Sequence, residues 1–136
     1  MLKFIGPMRE PDKFGSGEYG APRGTRKHNG VDIAASPGSI VMSPVSGTVS
    51  KLGHPYGDDL SFQYVQLTDT FGYLVRLFYV EPQVALGEEI MEGWPVGRVQ
   101  TLQKRYPGIT DHVHLEVMKG GEHLSWFDYL HKRGLG

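Results

Sequence analysis

The run Asp111-His112-Val113-His114-Leu115-Glu116-Val117 carries two imidazoles and a carboxylate at alternate positions. Read as a β-strand, it sends Val113, Leu115 and Val117 to a core face and His112, His114 and Glu116 to the other, exposed face. Adjacent imidazoles on a stiff strand can divide labour, one holding a metal and the other handling a proton. An isolated H-x-H is weak evidence, because surface strands often carry histidine. Far upstream, His28-Asn29-Gly30-Val31-Asp32 supplies an imidazole and a carboxylate, both ligands of the zinc type. Gly24 and Gly30 exclude a helical H-E-x-x-H reading, so this second motif is a loop entering a sheet at Val31-Asp32-Ile33. His28, Asp32 and one histidine of the pair make three protein ligands and leave a fourth tetrahedral position for water, the pattern of a catalytic zinc site. The residues alone do not choose between His112 and His114 as ligand.

The elements that must position these groups read as β-structure. Nineteen glycines and nine prolines break the chain into short β-rich runs, which favours an all-β domain. Residues 1–24 form an irregular lead-in, with Phe14 and Tyr19 expected to tuck it onto the body. Short strands are expected at Ile40–Met42 and Gly47–Leu52. An antiparallel hairpin follows, Ser61–Thr68 returning through Tyr73–Val80 across an Asp69-Thr70-Phe71-Gly72 turn. An internal echo links Gly38–Val49 with Gly87–Val99, each a glycine turn, a short strand, a small-residue turn and a second strand. The echo predicts two similar half-sheets packed as a small antiparallel barrel-like sandwich. Residues 124–133 fit a short C-terminal helix, with Ser125 as its cap and Lys132-Arg133 suiting the dipole.

Composition narrows the rest. A chain of 136 residues is a single domain with a modest core. A formal net charge of −1 argues against nucleic acid or a membrane surface as partner. With no cysteine, any metal must be held by His, Asp or Glu. No apolar run approaches the roughly 20 residues of a membrane span. His54, His123 and His131 are expected at the surface. Arg23, Arg26 and Lys27 beside the first motif are expected to be a solvated loop, the alternative being a basic rim for a carboxylate-bearing substrate.

The segments R-G-T-R-K-H-N-G-V-D-I-A-A-S-P-G-S-I-V-M-S-P-V-S-G-T-V, G-E-E-I-M-E-G-W-P-V-G and D-H-V-H-L-E-V together resemble the lysostaphin-type zinc endopeptidases, which cut peptide cross-links of bacterial peptidoglycan. The resemblance covers roughly residues 15–118. Carried over position by position, it implies His28, Asp32 and His114 as zinc ligands and His112 as general base. One departure stands out. Active members carry a second catalytic histidine in a Tyr-x-His pattern at the end of the hairpin's return strand, and here Leu77-Phe78-Tyr79 puts Tyr79 in its place. Leu77–Pro82 and Leu102–Ile109 are most similar to the vertebrate leukocyte cell-derived chemotaxin branch, which keeps the metal ligands but looks like a signalling protein.

The resulting expectation is a zinc (Zn2+) endopeptidase acting on peptidoglycan, with His112 as base and Tyr79 donating to the oxyanion in place of the missing histidine. Glu116 is expected in a surface ion pair, the alternative being a carboxylate that orients a ligand ring. The opening run Met1–Pro7 is too short for a signal peptide. Synthesis in the cytoplasm and action at the wall or periplasm are therefore expected, as a phage virion or lysis component with a virion or tail assembly as carrier and partner. The rival is a catalytically silent zinc-bearing module that binds wall peptide or a protein partner. A biotinyl- or lipoyl-type carrier domain needs a lysine at a hairpin tip; Lys51 lacks a Met-Lys-Met context, and that reading leaves both histidine motifs idle.

Overall fold

The structure, a computed structural model, describes residues 29–134 together with residues 9, 17, 20, 22–23 and 26–27, the last four as backbone alone. Phe14, Tyr19, His28 and the side chains of Arg23, Arg26 and Lys27 lie outside the described residues.

A short ribbon pairs β1 (Pro22–Arg23) with β2 (Arg26–Lys27). The strands that follow are β3 (Val31–Ala34), β4 (Ile40–Met42), β5 (Gly47–Gly53), β6 (Tyr64–Thr68), β7 (Leu74–Phe78) and β8 (Val80–Pro82). They continue through β9 (Glu89–Ile90), β10 (Pro95–Val99), β11 (His112–Lys119) and β12 (Glu122–Leu124) to helix α1 (Trp126–Lys132). The larger sheet runs β12-β11-β7-β6-β5-β9, and the smaller runs β4-β10-β8. Valine-rich inner faces of both sheets meet in one core that includes Val41, Val49, Leu67, Val96 and Leu115. The architecture is an antiparallel sandwich whose sheets do not close into a barrel.

The two echoed segments interlock. The first strand of one pairs with the second strand of the other, β4 with β10 and β5 with β9. Each sheet thereby receives one strand from each repeat, which ties the two layers together. The hairpin forms as expected, β6 against β7 around the Asp69–Gly72 turn. Its middle is covered on both faces, since Tyr64, Val65, Gln66 and Leu67 are all buried.

β11 organises the site. Its Val113, Leu115 and Val117 are buried in the core, as the alternation requires. One edge pairs with β7, and the other is shared by β3 at its start and β12 at its end. The register sets Asp32 opposite His114 on one side and Phe78 opposite His114 on the other. Gly30 makes the approach of β3 sterically feasible. A Cβ there would lie 2.3 Å from the Leu115 carbonyl oxygen and 2.9 Å from the His114 ring. Any side chain would push the first motif away from the second.

The C-terminal helix begins and ends within two residues of expectation, its Ser125 hydroxyl accepting from the Asp128 amide. It is docked by a buried carboxylate. Asp69 accepts from the amides of Phe71 and Tyr73, from the Tyr129 hydroxyl at 2.8 Å and from Arg133 Nε at 3.0 Å.

Candidate metal and catalytic site

Asp32 is 2 % exposed, and its two oxygens are used separately. Oδ1 lies 2.8 Å from His114 Nδ1, and Oδ2 lies 2.8 Å from an Arg9 guanidinium nitrogen and 3.4 Å from His112 Nε2. Arg9 is itself buried, and its amide donates to the Asp32 carbonyl. The Asp32 amide in turn donates to the Gly17 carbonyl, so the lead-in lies along β3 at these two points. The histidine face of β11 is therefore covered rather than exposed: His112 is 4 % exposed, and the His114 side chain 13 %. The alternation assigns the face correctly, but it cannot foresee that distant chain lies over it.

The imidazoles differ in state. His114 has carboxylates at both nitrogens, Asp32 at Nδ1 and Glu116 Oε1 at Nε2, 2.9 Å away. Burial works against a charged ring, but the two carboxylates outweigh it and push the group up to about 9. Both nitrogens then carry protons. His112 Nδ1 donates to the Thr110 carbonyl at 2.7 Å, and a carbonyl can only accept, so the neutral ring keeps its lone pair on Nε2. Burial pulls its basicity below the ordinary imidazole value, favouring that neutral form. One histidine is thus oriented and charge-paired, and its neighbour is a neutral base beside the same carboxylate.

Glu116 does not form the expected surface ion pair. It bridges His114 and His123, accepting at Oε2 from His123 Nε2 at 3.3 Å, with an Arg76 guanidinium nitrogen 4.0 Å away. Burial opposes its ionisation, yet the two imidazoles hold it below the usual carboxylate range. His123 is consequently half-buried rather than at the surface. His54 caps its own loop by donating to the Phe62 carbonyl, and His131 is exposed on α1.

These residues fit a zinc ion. A carboxylate oxygen and an imidazole nitrogen converge in a buried site, and a second carboxylate fixes the other nitrogen of the same ring. Once the Nδ1 proton is displaced, that is the arrangement in which histidine ligates metal. Two expected ligands, Asp32 and His114, are brought together; the third, His28, lies outside the described residues. Among the described residues no group of three or more acidic, cysteine or histidine side chains stands ready for a metal.

Tyr79 closes the site from the corner after β7. It is the one non-glycine residue with positive φ, 69°, among the described residues. It sits at the corner where the chain leaves the larger sheet after Phe78 and enters the smaller at Val80. In a continuous strand Phe78 and Tyr79 would point to opposite faces. The left-handed corner lets both rings meet the histidines: Phe78 packs edge-on against His114 at 5.2 Å, and Tyr79 against His112 at 5.5 Å. Such a backbone costs about 1 kcal/mol or more, and it is pinned by bonds from the Tyr79 amide to Gln63 and from the Gln100 amide to the Tyr79 carbonyl. The Tyr79 hydroxyl is 2.8 Å from the Tyr56 hydroxyl, and Tyr56 is 2.8 Å from the Tyr106 hydroxyl. Burial raises the Tyr79 phenol to about 12, so it keeps its proton at neutral pH.

Arg9, Tyr56 and Tyr106 are site residues that sequence reasoning misses. Nothing in their spacing points to His112 or Asp32, and only the Tyr106 stretch carried a signal, through its branch resemblance.

The family model for Peptidase family M23 matches residues 26–126. Leukocyte cell-derived chemotaxin-2 of Mus musculus is 37 % identical over 109 residues, covering 80 % of this chain and 72 % of that protein. Myeloid protein 1 of Gallus gallus is 36 % identical over 115 residues, where the match covers 80 % of this chain and 34 % of that protein. Among solved structures, the catalytic domain of a prophage-encoded M23 protein from Enterococcus faecalis superposes with a TM-score of 0.66 at 21 % identity, covering 89 % of this chain and 94 % of that one. A peptidase M23 structure from Pseudomonas aeruginosa gives 0.63 at 21 % identity, over 92 % of this chain and 48 % of that one. The catalytic domain of lysostaphin from Staphylococcus simulans gives 0.60 at 17 % identity, over 93 % and 88 %. These structural likenesses carry the fold, while the family model and the chemotaxin identity carry the lineage: the chain belongs to peptidase family M23.

Proposed function

We propose that this chain is a zinc-dependent endopeptidase that hydrolyses peptide cross-links of bacterial peptidoglycan, with the wall as its place of action. The observation that carries the reading is the Asp32–His114 pair with His112 Nε2 3.4 Å from the same carboxylate. His28, Asp32 and His114 would hold the metal. Zinc, when bound, polarises a carbonyl and lowers the pKa of a bound water to about 7.

The chain's own residues supply the rest. His112 takes the proton of the attacking water at Nε2, while its Nδ1 stays anchored on Thr110. Glu116 holds the His114 ring in a single orientation through Nε2. The Tyr79 hydroxyl donates a hydrogen bond to the oxyanion that develops on the scissile carbonyl, keeping its proton throughout. His112 then returns its proton to the leaving amine. Carriage to the wall by a phage virion or tail is the finer form of this proposal.

A second reading, a silent zinc-bearing binding module, is favoured by one feature. Tyr79 stands where active members are expected to carry histidine, and the chemotaxin similarity runs through that stretch. A zinc assay joined to a turbidity assay on purified walls of several chemistries separates the two. Cleared suspensions with about one zinc per chain support the enzyme. A fully metallated protein that clears none supports the module.

A further inference from the structure

His112 is anchored through Nδ1 on a backbone carbonyl. The bond to Thr110 is 2.7 Å long, and it is what leaves the ring's lone pair on Nε2. Thr110 belongs to no strand; it ends the connection that delivers the chain from β10 to β11. A peptide in a connecting segment can turn its carbonyl away unless the residues on either side of it are held.

Both neighbours of Thr110 are held. On one side, Asp111 Oδ1 accepts from the Leu102 amide at 2.7 Å. The Asp111 carbonyl accepts from the amide of Ala35, the residue after β3, at 3.1 Å. On the other side, the Gln103 side chain spans the loop. Its Nε2 donates to the Ile109 carbonyl and its Oε1 accepts from the Gly108 amide, both at 2.7 Å. A carbonyl can only accept and a backbone amide can only donate, so the orientation of the Gln103 group is fixed by its partners. The same Nε2 lies 3.3 Å from Asp111 Oδ1, which joins the two clamps. Leu102 and Ile109 are buried with Phe62 and seat the loop as a whole. Apolar packing is non-directional, whereas aiming one carbonyl takes hydrogen bonds on both sides of it.

We propose that Gln103 and Asp111 are positioning residues for the base: they fix the Thr110 peptide, so that its carbonyl keeps the His112 proton on Nδ1 and the lone pair on Nε2. The consequence for turnover rests on the endopeptidase reading above; the consequence for the His112 ring does not.

The test uses the zinc-loaded full chain, a soluble cross-linked wall peptide and the variants Asp111→Ala, Asp111→Asn and Gln103→Ala. Leu102 and Ile109 stay in place, so all three should fold. Asp111→Ala and Gln103→Ala should lower kcat about 10–100-fold, the cost of a misplaced catalytic group, with KM and zinc content unchanged. Asp111→Asn keeps an oxygen acceptor for the Leu102 amide and should recover kcat to within about threefold of wild type. A readout free of turnover is the pair of ring 15N resonances of His112 in histidine-labelled protein, which report the tautomer. Wild type should carry the proton on Nδ1. In both alanine variants the two resonances should move toward each other as the second tautomer is populated; in Asp111→Asn they should stay. A merely structural role would lower the unfolding midpoint and leave the resonances alone. Unmoved resonances in either alanine variant overturn the proposal even in an active enzyme, as does a wild-type kcat in either. Moved resonances in variants of a protein that cleaves no wall peptide retain the clamp and remove the endopeptidase reading instead.

Discussion

Asp32 and His114 are cross-strand partners in the β3–β11 ladder, and the register alone brings the carboxylate within 2.8 Å of the ring nitrogen. A rigid ladder on both sides of His114 leaves its ring little freedom, which suits a ligand that must be preorganised.

From this pair comes the metal prediction. The protein should bind about one zinc per chain, and Asp32→Ala or His114→Ala should lose most of it. His54→Ala and His131→Ala should not. Glu116→Gln keeps the shape but loses the charge at Nε2, and should weaken zinc binding roughly 10–100-fold. Chelator competition followed by metal analysis reads all five variants; full occupancy in Asp32→Ala would overturn the ligand assignment.

His112 separates ligand from base. His112→Ala should retain zinc and lose roughly 10²–10⁴ in kcat on wall peptide. Equal zinc loss in His112→Ala and His114→Ala would show that the division of labour is wrong.

Arg9 places a buried positive charge on Asp32 Oδ2. Removing one partner of a buried pair costs up to about 3–5 kcal/mol, less here because the His114 ring still faces Asp32 Oδ1. Arg9→Met should therefore destabilise the chelated protein in urea unfolding, by less than that limit. Zinc restores a cation at Asp32, so the variant should gain more stability from zinc than wild type does. Identical zinc gains in the two proteins would contradict it.

Tyr79→Phe removes one oxygen and leaves the ring on His112. Turnover should fall roughly 10²–10³-fold with unchanged zinc content and KM. If wild type is inert and metallated, Tyr79→His is the informative variant, because it restores the histidine expected of active members.

Asp69 gives a pH prediction remote from the metal. Burial opposes its charge, but bonds from Tyr129, from the amides of Tyr73 and Phe71, and from Arg133 outweigh it and lower its pKa. A depressed carboxylate contributes stability that is present above its unfolded value, about 3.9, and lost as pH falls through the folded value. Near-ultraviolet circular dichroism should show Trp126 and Tyr129 loosening below about pH 4. Asp69→Asn should be less stable at pH 7 and should lack this acid transition.

Local pattern alone determined a good deal of this protein. The two-residue period of β11 assigned Val113, Leu115 and Val117 to the core and the histidines to one face. The turn chemistry of Asp69–Gly72 gave the hairpin, and Ser125 marked the helix start. Residue chemistry, with no cysteine available, narrowed any metal to His28, Asp32 and the H-V-H strand. These are short-range properties, and periodicity reports them directly. The register that opposes Asp32 to His114, the burial of Arg9 on Oδ2, and the bridge from His114 through Glu116 to His123 were decided by tertiary structure. So was the left-handed corner that turns Tyr79 back onto His112. Each depends on which distant strands pair and on what covers the second face of a sheet. No local period encodes either, because the same alternation is compatible with an open face or a covered one.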